Sequence, residues 1–114
     1  MSECLFCKIV EGEVKSTIVY SDEDVIALED INPQAPVHVL VVPRKHIPTT
    51  LDLGDADLEL MGRCVAAAKV VAQQKGVDQS GFRIVLNSGA DAGQSVFHLH
   101  YHVLGGRTMK WPPG

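Results

Sequence analysis

The 114-residue sequence lacks the features that membrane, secreted and nucleic-acid-binding proteins require. Its longest apolar runs are far shorter than a membrane span, so no contact with a membrane is expected. The N-terminus has no basic segment followed by an apolar run, so no secretory signal is expected. Lys and Arg number 10 against 14 Asp and Glu, and the net charge of −4 argues against a nucleic-acid polymer as partner.

Cysteine is also scarce. The three cysteines, two of them spaced as Cys4-x-x-Cys7, fit a reducing compartment better than a disulfide framework, and a cytoplasmic location is expected. With 46% apolar and 21% charged residues, the composition is that of an ordinary globular protein. No repeat or linker divides the chain, so a single domain over residues 1–114 is predicted.

The hydrophobic pattern predicts an α+β fold. Residues 5–11 carry a short helical pattern, and strands are expected over residues 17–21, 25–29, 37–43, 82–86 and 96–104. One long amphipathic helix is expected to begin at an Asp55 cap and to end at Gly76. Its apolar stripe consists of Leu58, Met61, Cys64, Val65, Ala68, Val71 and Ala72. Because strands dominate and only one long helix intervenes, an antiparallel sheet with a helix on one face is predicted.

The stretch VFHLHYHVL, residues 96–104, places three of the five histidines at alternate positions. On a strand His98, His100 and His102 share one face, which favours a common role over three solvent-facing side chains. A metal site made of all three is disfavoured, because the backbones of the outer two lie roughly 13 Å apart on a straight strand. The upstream loop GADAGQS, with Gly89 and Gly93, can bring backbone N–H groups to a phosphate. Together with a nucleophilic imidazole, this loop favours phosphoryl chemistry.

The run from His98 to Leu104 resembles the His-φ-His-φ-His-φ-φ signature of the histidine triad superfamily, where φ is apolar. The segments GQSVFHLHYHVLGGRTMKWPPG and DINPQAPVHVLVVPRKHI are similar to the Hint branch, the nucleoside phosphoramidate hydrolases. The resemblance implies a five-stranded antiparallel sheet with a short N-terminal helix, extended across a homodimer. It implies hydrolysis of purine nucleoside 5′-phosphoramidates, of the adenosine 5′-monophosphoramidase type, through a nucleotidyl-histidine. The alternatives are a dinucleoside polyphosphate hydrolase of the Fhit type and a nucleotide-binding regulator with incidental hydrolysis.

The same resemblance implies the roles of individual residues. His100 is implied as the nucleophile and His102 as a donor to the phosphate oxygens. The remaining implied positions are Ser95 with the backbone of Gly93 and Gln94 at the phosphate and leaving group, Asn87 beside them, Asp30 at the ribose, and Phe6, Ile9, Leu28 and Ile31 around the base. His38 either orients His100 or His102 through a hydrogen bond or is a satisfied core histidine.

The Cys4-x-x-Cys7 pair is half of a zinc site by spacing, and two further ligands are required. Bacterial members of the superfamily and the hexose-1-phosphate uridylyltransferases are similar here, and their pattern implies His46 and His98 as the other two ligands. A structural zinc on Cys4, Cys7, His46 and His98 is therefore expected. The alternative is a pair of reduced cysteines without metal. No organic cofactor is expected.

Overall fold

The computed structural model describes residues 3–114 and contains one five-stranded sheet. The elements along the chain are α1 (Leu5–Val10), β1 (Ile18–Ser21), β2 (Val25–Glu29), β3 (Val37–Pro43), α2 (Leu58–Gln74), β4 (Phe82–Leu86) and β5 (Tyr101–Gly105). The strand order is β1-β2-β3-β5-β4, and all four neighbouring pairs are antiparallel. The predicted α+β fold with one long and one short helix is confirmed.

The sheet is covered on both faces, which explains why β2 and β3 are almost continuously apolar. Alternate residues of the two strands pack on the long helix, and this layer includes Val25, Ala27, Val39, Val41, Cys64, Ala68 and Val71. The intervening residues pack under α1, and that layer consists of Phe6, Ile9, Ile26, Leu28, Leu40 and Val42. In β5, Tyr101 and Val103 belong to the α2 layer, whereas His102 lies opposite Leu40. The histidine face of β5 therefore looks toward α1.

The long helix begins later than the sequence suggests. A single 3-10 turn, Asp55–Asp57, precedes α2. Asp57, and not Asp55, occupies the N-cap position of α2, but its carboxylate accepts no N–H of the helix. It accepts the N–H of Gly54 at 2.9 Å and the ammonium of Lys45 at 2.5 Å. The pair with Lys45 ties the start of the helix to the connection that follows β3. At the other end, Gly76 has φ +72, the left-handed conformation expected of a residue that ends a helix.

The apolar stripe of α2 is narrower than predicted. Leu58 and Val65 are 61% and 48% exposed, whereas Ala67, which the predicted stripe omits, is 1% exposed. The helix thus packs on the sheet mainly through small residues and leaves part of its apolar surface uncovered. Across residues 3–114 the structure has no helix whose length and hydropathy suit a membrane span.

The predicted last strand is wrong at its beginning. Ladder pairing starts at Tyr101, and the chain bends at residues 96–98. The backbone N–H of Leu99 instead donates to the carbonyl of Ile47, at 2.7 Å, so the connection after β3 holds this segment. The bend leaves Phe97 49% exposed, although strict alternation predicts that it shares the buried face of Leu99.

Candidate metal centre and active site

Four side chains with metal-binding atoms converge where α1 begins. Cys4 is the N-cap residue of α1 and Cys7 lies within the helix, while His46 follows β3 and His98 precedes β5. The Nδ1 atom of His98 lies 3.3 Å from Cys4 Sγ, 3.5 Å from Cys7 Sγ and 3.2 Å from His46 Nδ1. Around a tetrahedral zinc, neighbouring nitrogen and sulfur ligands stand roughly 3.3–3.6 Å apart. The donor set and its spacing therefore fit zinc.

Hydrogen bonds prepare these ligands for a metal. His98 is fully buried, and its Nε2–H donates to the carbonyl of Pro43 at 2.7 Å. The ring proton is thereby fixed on Nε2, and the lone pair of Nδ1 faces the cluster. Burial lowers the pKa of His98, so the ring is neutral at pH 7, as a ligand must be. The Sγ of Cys4 accepts the N–H of Cys7 at 3.4 Å. Four protein ligands leave no open position, which is typical of a structural zinc site. The four residues expected to bind zinc thus lie together in one cluster.

His100 is held with one nitrogen bonded and the other available. Its Nδ1 lies 2.8 Å from the carbonyl oxygen of His98. Because a carbonyl only accepts, Nδ1 carries the proton and Nε2 carries the lone pair. The ring is 7% exposed and meets the Phe6 ring edge-on at a centroid distance of 4.9 Å. Burial lowers the pKa of His100, so a neutral imidazole with a nucleophilic Nε2 is present near pH 7.

A chain of hydrogen bonds fixes the tautomer of His102. The backbone N–H of Gln34 donates to Nδ1 of His38 at 3.0 Å, so the proton of neutral His38 is on Nε2. That Nε2–H lies 2.9 Å from Nδ1 of His102 and 3.4 Å from Oδ2 of Asp30. His102 accepts at Nδ1 and consequently presents Nε2–H as a donor. Burial lowers the pKa of His102 to about 4. Of the two alternatives for His38, the geometry favours orientation of His102.

Asp30, His38 and His102 also have their potential ligand atoms within 4.8 Å of one another. The position of the protons argues against a second metal site here. A metal on Nε2 of His38 requires a proton on Nδ1, and that proton would face the N–H of Gln34. The cluster is therefore better described as a hydrogen-bonded chain that ends at the ring of His102.

His100 and His102 line a cavity of about 300 Å³ beside α1. Its walls include most of the residues predicted to hold a nucleotide, namely Phe6, Ile9, Leu28, Asp30 and Ser95. Ile31 lies at the rim and is 98% exposed, so it encloses little of the space. Lys15 and Ser16 also line the cavity, and no motif or periodicity in the sequence marks them. The cavity thus combines an apolar slot, the carboxylates of Glu29 and Asp30, and a polar end with two imidazoles.

The glycine-rich loop forms hydrogen bonds within its own backbone that the sequence does not predict. The backbone N–H of Gly93 donates to Ala90 and that of Gln94 to Gly89, at 3.0 and 3.1 Å. In this conformation neither N–H is available to a phosphate, which departs from the role predicted for both residues. Asn87, directly after β4, is not part of the cavity wall. Ser95 is exposed and is the loop residue that the structure places at the polar end.

Residues 11–109 match the family model of the HIT domain. The chain belongs to the HIT family. A HIT family hydrolase from Legionella pneumophila Philadelphia 1 is 48% identical and superposes with a TM-score of 0.96, over 98% of this chain and 100% of that one. The 14 kDa zinc-binding protein of Zea mays is 47% identical, over 99% of this chain and 89% of the maize protein. Adenylylsulfatase HINT1 of Arabidopsis thaliana is 45% identical, over 99% and 78%.

In this HIT family protein the three histidines of the row lie in different surroundings. The ring of His98 belongs to the four-ligand cluster, and its carbonyl oxygen accepts from His100. His100 and His102 line the cavity, with ring centroids 5.0 Å apart. His98 therefore connects the metal cluster, through its ring, to the candidate nucleophile His100, through its carbonyl.

Proposed function

We propose that the protein hydrolyses purine nucleoside 5′-phosphoramidates to a nucleoside 5′-monophosphate and an amine, through a nucleotidyl intermediate on His100. The observation that carries the proposal is the 2.8 Å hydrogen bond from Nδ1 of His100 to the carbonyl of His98. It leaves the Nε2 lone pair at a cavity that also contains the donor His102. A nucleophile and a donor side by side are the elements that nucleotidyl transfer needs.

In the first step Nε2 of His100 attacks the α-phosphorus, and the P–N bond to the amine breaks. The Nε2–H of His102 donates to a non-bridging oxygen as its negative charge grows. The hydroxyl of Ser95 donates a proton to the departing nitrogen and receives one from solvent water at the same time, so that a neutral amine leaves and no alkoxide remains. The nucleotidyl imidazole is cationic, and the carbonyl of His98 stabilises it through the Nδ1–H. Water then attacks the phosphorus, the P–Nε2 bond breaks, and the water proton passes to solvent by way of the Ser95 hydroxyl.

Recognition of the nucleoside follows from the remaining walls of the cavity. Phe6, Ile9 and Leu28 form the apolar slot that we assign to the purine. Asp30 is held at the edge of the cavity because its Oδ1 accepts the N–H of Asn32 at 2.8 Å. This position supports our assignment of the carboxylate to the ribose hydroxyls, since charge-assisted bonds of this kind are strong and geometrically demanding.

Turnover of a fluorogenic adenosine phosphoramidate tests the proposal. Release of the fluorophore that requires His100 supports it, and Arg63→Gln on the exposed side of α2 serves as a surface control. Adenylyl sulfate is the second candidate substrate, because the Arabidopsis relative is named an adenylylsulfatase. A higher kcat/KM for adenylyl sulfate or for a diadenosine polyphosphate would reassign the leaving group. Tight binding of AMP without turnover of any of the three would instead indicate a nucleotide-binding regulator.

We also propose that Cys4, Cys7, His46 and His98 hold a structural zinc ion. The atomic spacing supports this, and the maize relative is named a zinc-binding protein. When bound, the ion would tie α1, with its cavity residues, to the chain that leads into His100. Reduced thiolates of this kind fit the cytoplasmic location expected from the sequence.

A homodimer that extends the sheet through β4 is the third part of the proposal. β4 is an edge strand on which Phe82 and Ile84 are each 37% exposed. Leu58 and Val65 of α2 are also exposed, and they lie roughly opposite Arg63 on a helix of about 3.6 residues per turn. Arg63 Nε lies 3.6 Å from a carboxylate oxygen of Asp24, in the turn between β1 and β2. Arg63 therefore faces the β1 edge of the sheet. The exposed apolar side of α2 lies on the other side of the helix and faces the opposite edge, which is β4. A second copy of the chain would cover this surface and pair the unpaired edge.

A further inference from the structure

A buried carboxamide links the glycine-rich loop to the segments that carry metal ligands. Gln94 is 5% exposed, and its side chain forms three hydrogen bonds to backbone groups. Oε1 accepts the N–H of Gly89 at 2.8 Å. Nε2 donates to the carbonyls of Pro48 and Val96, at 2.7 and 3.1 Å. One side chain thus connects three separate stretches of backbone.

The three stretches continue to the metal cluster and to the polar end of the cavity, where we propose that the phosphate binds. Pro48 is two residues after His46, and Val96 is two residues before His98. Ser95 lies between Gln94 and Val96. A shift of either metal-bearing segment therefore moves a carbonyl that holds the carboxamide, and the neighbouring Ser95 moves with it. The base slot is connected to the metal by a separate route, because Cys4 and Cys7 lie at the start of α1 beside Phe6.

We propose that Gln94 is a positioning residue that couples zinc occupancy to phosphate binding at Ser95. This inference rests on the proposed zinc and phosphate sites. With zinc bound, both metal-bearing segments are fixed, and the carboxamide holds Ser95 in the arrangement that accepts a phosphate. By thermodynamic reciprocity, a bound phosphate then tightens zinc by the same factor.

The chain offers variants that separate this role from others. Gln94→Glu keeps the shape and the acceptor for Gly89, but it places an oxygen against the two carbonyls that now receive N–H donors. Gln94→Ala removes all three bonds. The matched control is Ser88→Ala, because Ser88 Oγ lies 2.8 Å from Thr50 Oγ1 and so joins neighbouring parts of the same stretches without touching either carbonyl.

The experiment measures AMP affinity by calorimetry on zinc-loaded and zinc-depleted protein, and zinc affinity by chelator competition with and without AMP. For the wild type and Ser88→Ala we expect zinc to tighten AMP by about tenfold and AMP to tighten zinc equally, within the usual range of coupling. In both Gln94 variants the factor should fall clearly below that of Ser88→Ala. The part that remains is transmitted through α1, which carries Cys4 and Cys7 as well as the cavity residue Phe6. If depleted protein unfolds, the rate of zinc release from loaded protein, with and without AMP, reports the same coupling.

The possible results separate a failure of the proposed coupling from a failure of the zinc and phosphate sites on which it rests. A wild-type protein that binds no zinc, or no AMP, contradicts the proposed sites themselves. A wild type that binds both without mutual effect overturns the coupling, as does undiminished coupling in the two Gln94 variants. Weaker AMP binding in those variants with the wild-type coupling factor would show that Gln94 contacts the nucleotide directly and is not a positioning residue.

Discussion

Removal of zinc should lower the thermal stability of the protein without unfolding it. The core layer under α2 contains none of the four ligands, so the sheet and the long helix remain packed when the metal leaves. A ligand at 100 times its Kd stabilises the folded state by about 2.7 kcal/mol. For 114 residues the entropy of unfolding is about 0.24 kcal/mol per kelvin. We therefore expect Tm to fall by about 11 °C on chelation under those conditions.

Calorimetry of the protein with free zinc buffered at 100 times Kd and in excess chelator measures this shift. Cys7→Ser should have a low Tm that no longer responds to zinc. The matched control is Cys64→Ala, which removes the buried thiol outside the metal cluster and leaves a small cavity under α2. It should lower the absolute Tm while keeping the zinc-dependent shift. A wild-type Tm that is the same with buffered zinc and with chelator would refute the assignment of a structural zinc.

Other predictions address the cavity and the edge of the sheet. His100→Ala should abolish turnover while AMP affinity stays within about tenfold, because ground-state contacts come mainly from the rest of the cavity; wild-type kcat would contradict the nucleophile. His102→Ala should lower kcat by roughly 10²–10³, the usual effect of losing one donor to developing charge, in a stopped or continuous assay. A 2′- or 3′-deoxy substrate should lose about 1.5–3 kcal/mol in kcat/KM if Asp30 accepts from the ribose, and equal rates would show that it does not. Ile84→Lys should shift the protein to monomers in sedimentation, whereas a wild type that is already monomeric would exclude the dimer.

The fold was largely predictable because its two layers follow from the alternation of side chains. The run of β3, apolar except for His38, predicts a strand buried on both faces, and the pattern of α2 supplies one of the two covers. Gly76 marks the helix end through backbone geometry that acts locally. Such features depend on near neighbours in the chain, which is why the sequence alone indicates them.

Features set by distant contacts were not predictable in the same way. Asp57 at the start of α2 pairs with Lys45, which is 12 residues away in the chain, and no local pattern marks this pair. The internal hydrogen bonds that occupy Gly93 and Gln94 belong to a loop conformation that no periodicity describes. The exposure of Ile31 likewise depends on where the turn after β2 projects. In each case one tertiary contact decides between residues that the sequence leaves equivalent.

Because β5 begins only at Tyr101, the three histidines of residues 96–104 are divided between the metal cluster and the cavity. A straight strand would place His98 and His102 on one line, roughly 13 Å apart, with no reason for different roles. The bend at residues 96–98 lets the ring of His98 join the metal cluster while His102 stays in the ladder opposite Leu40. His100 lies between them, donates its Nδ1–H to the carbonyl of His98 and faces the same cavity as His102. Replacement of the His98 ring should therefore remove a metal ligand yet leave the carbonyl that orients the nucleophile. On this argument, loss of zinc should weaken substrate binding more than it slows the chemical step.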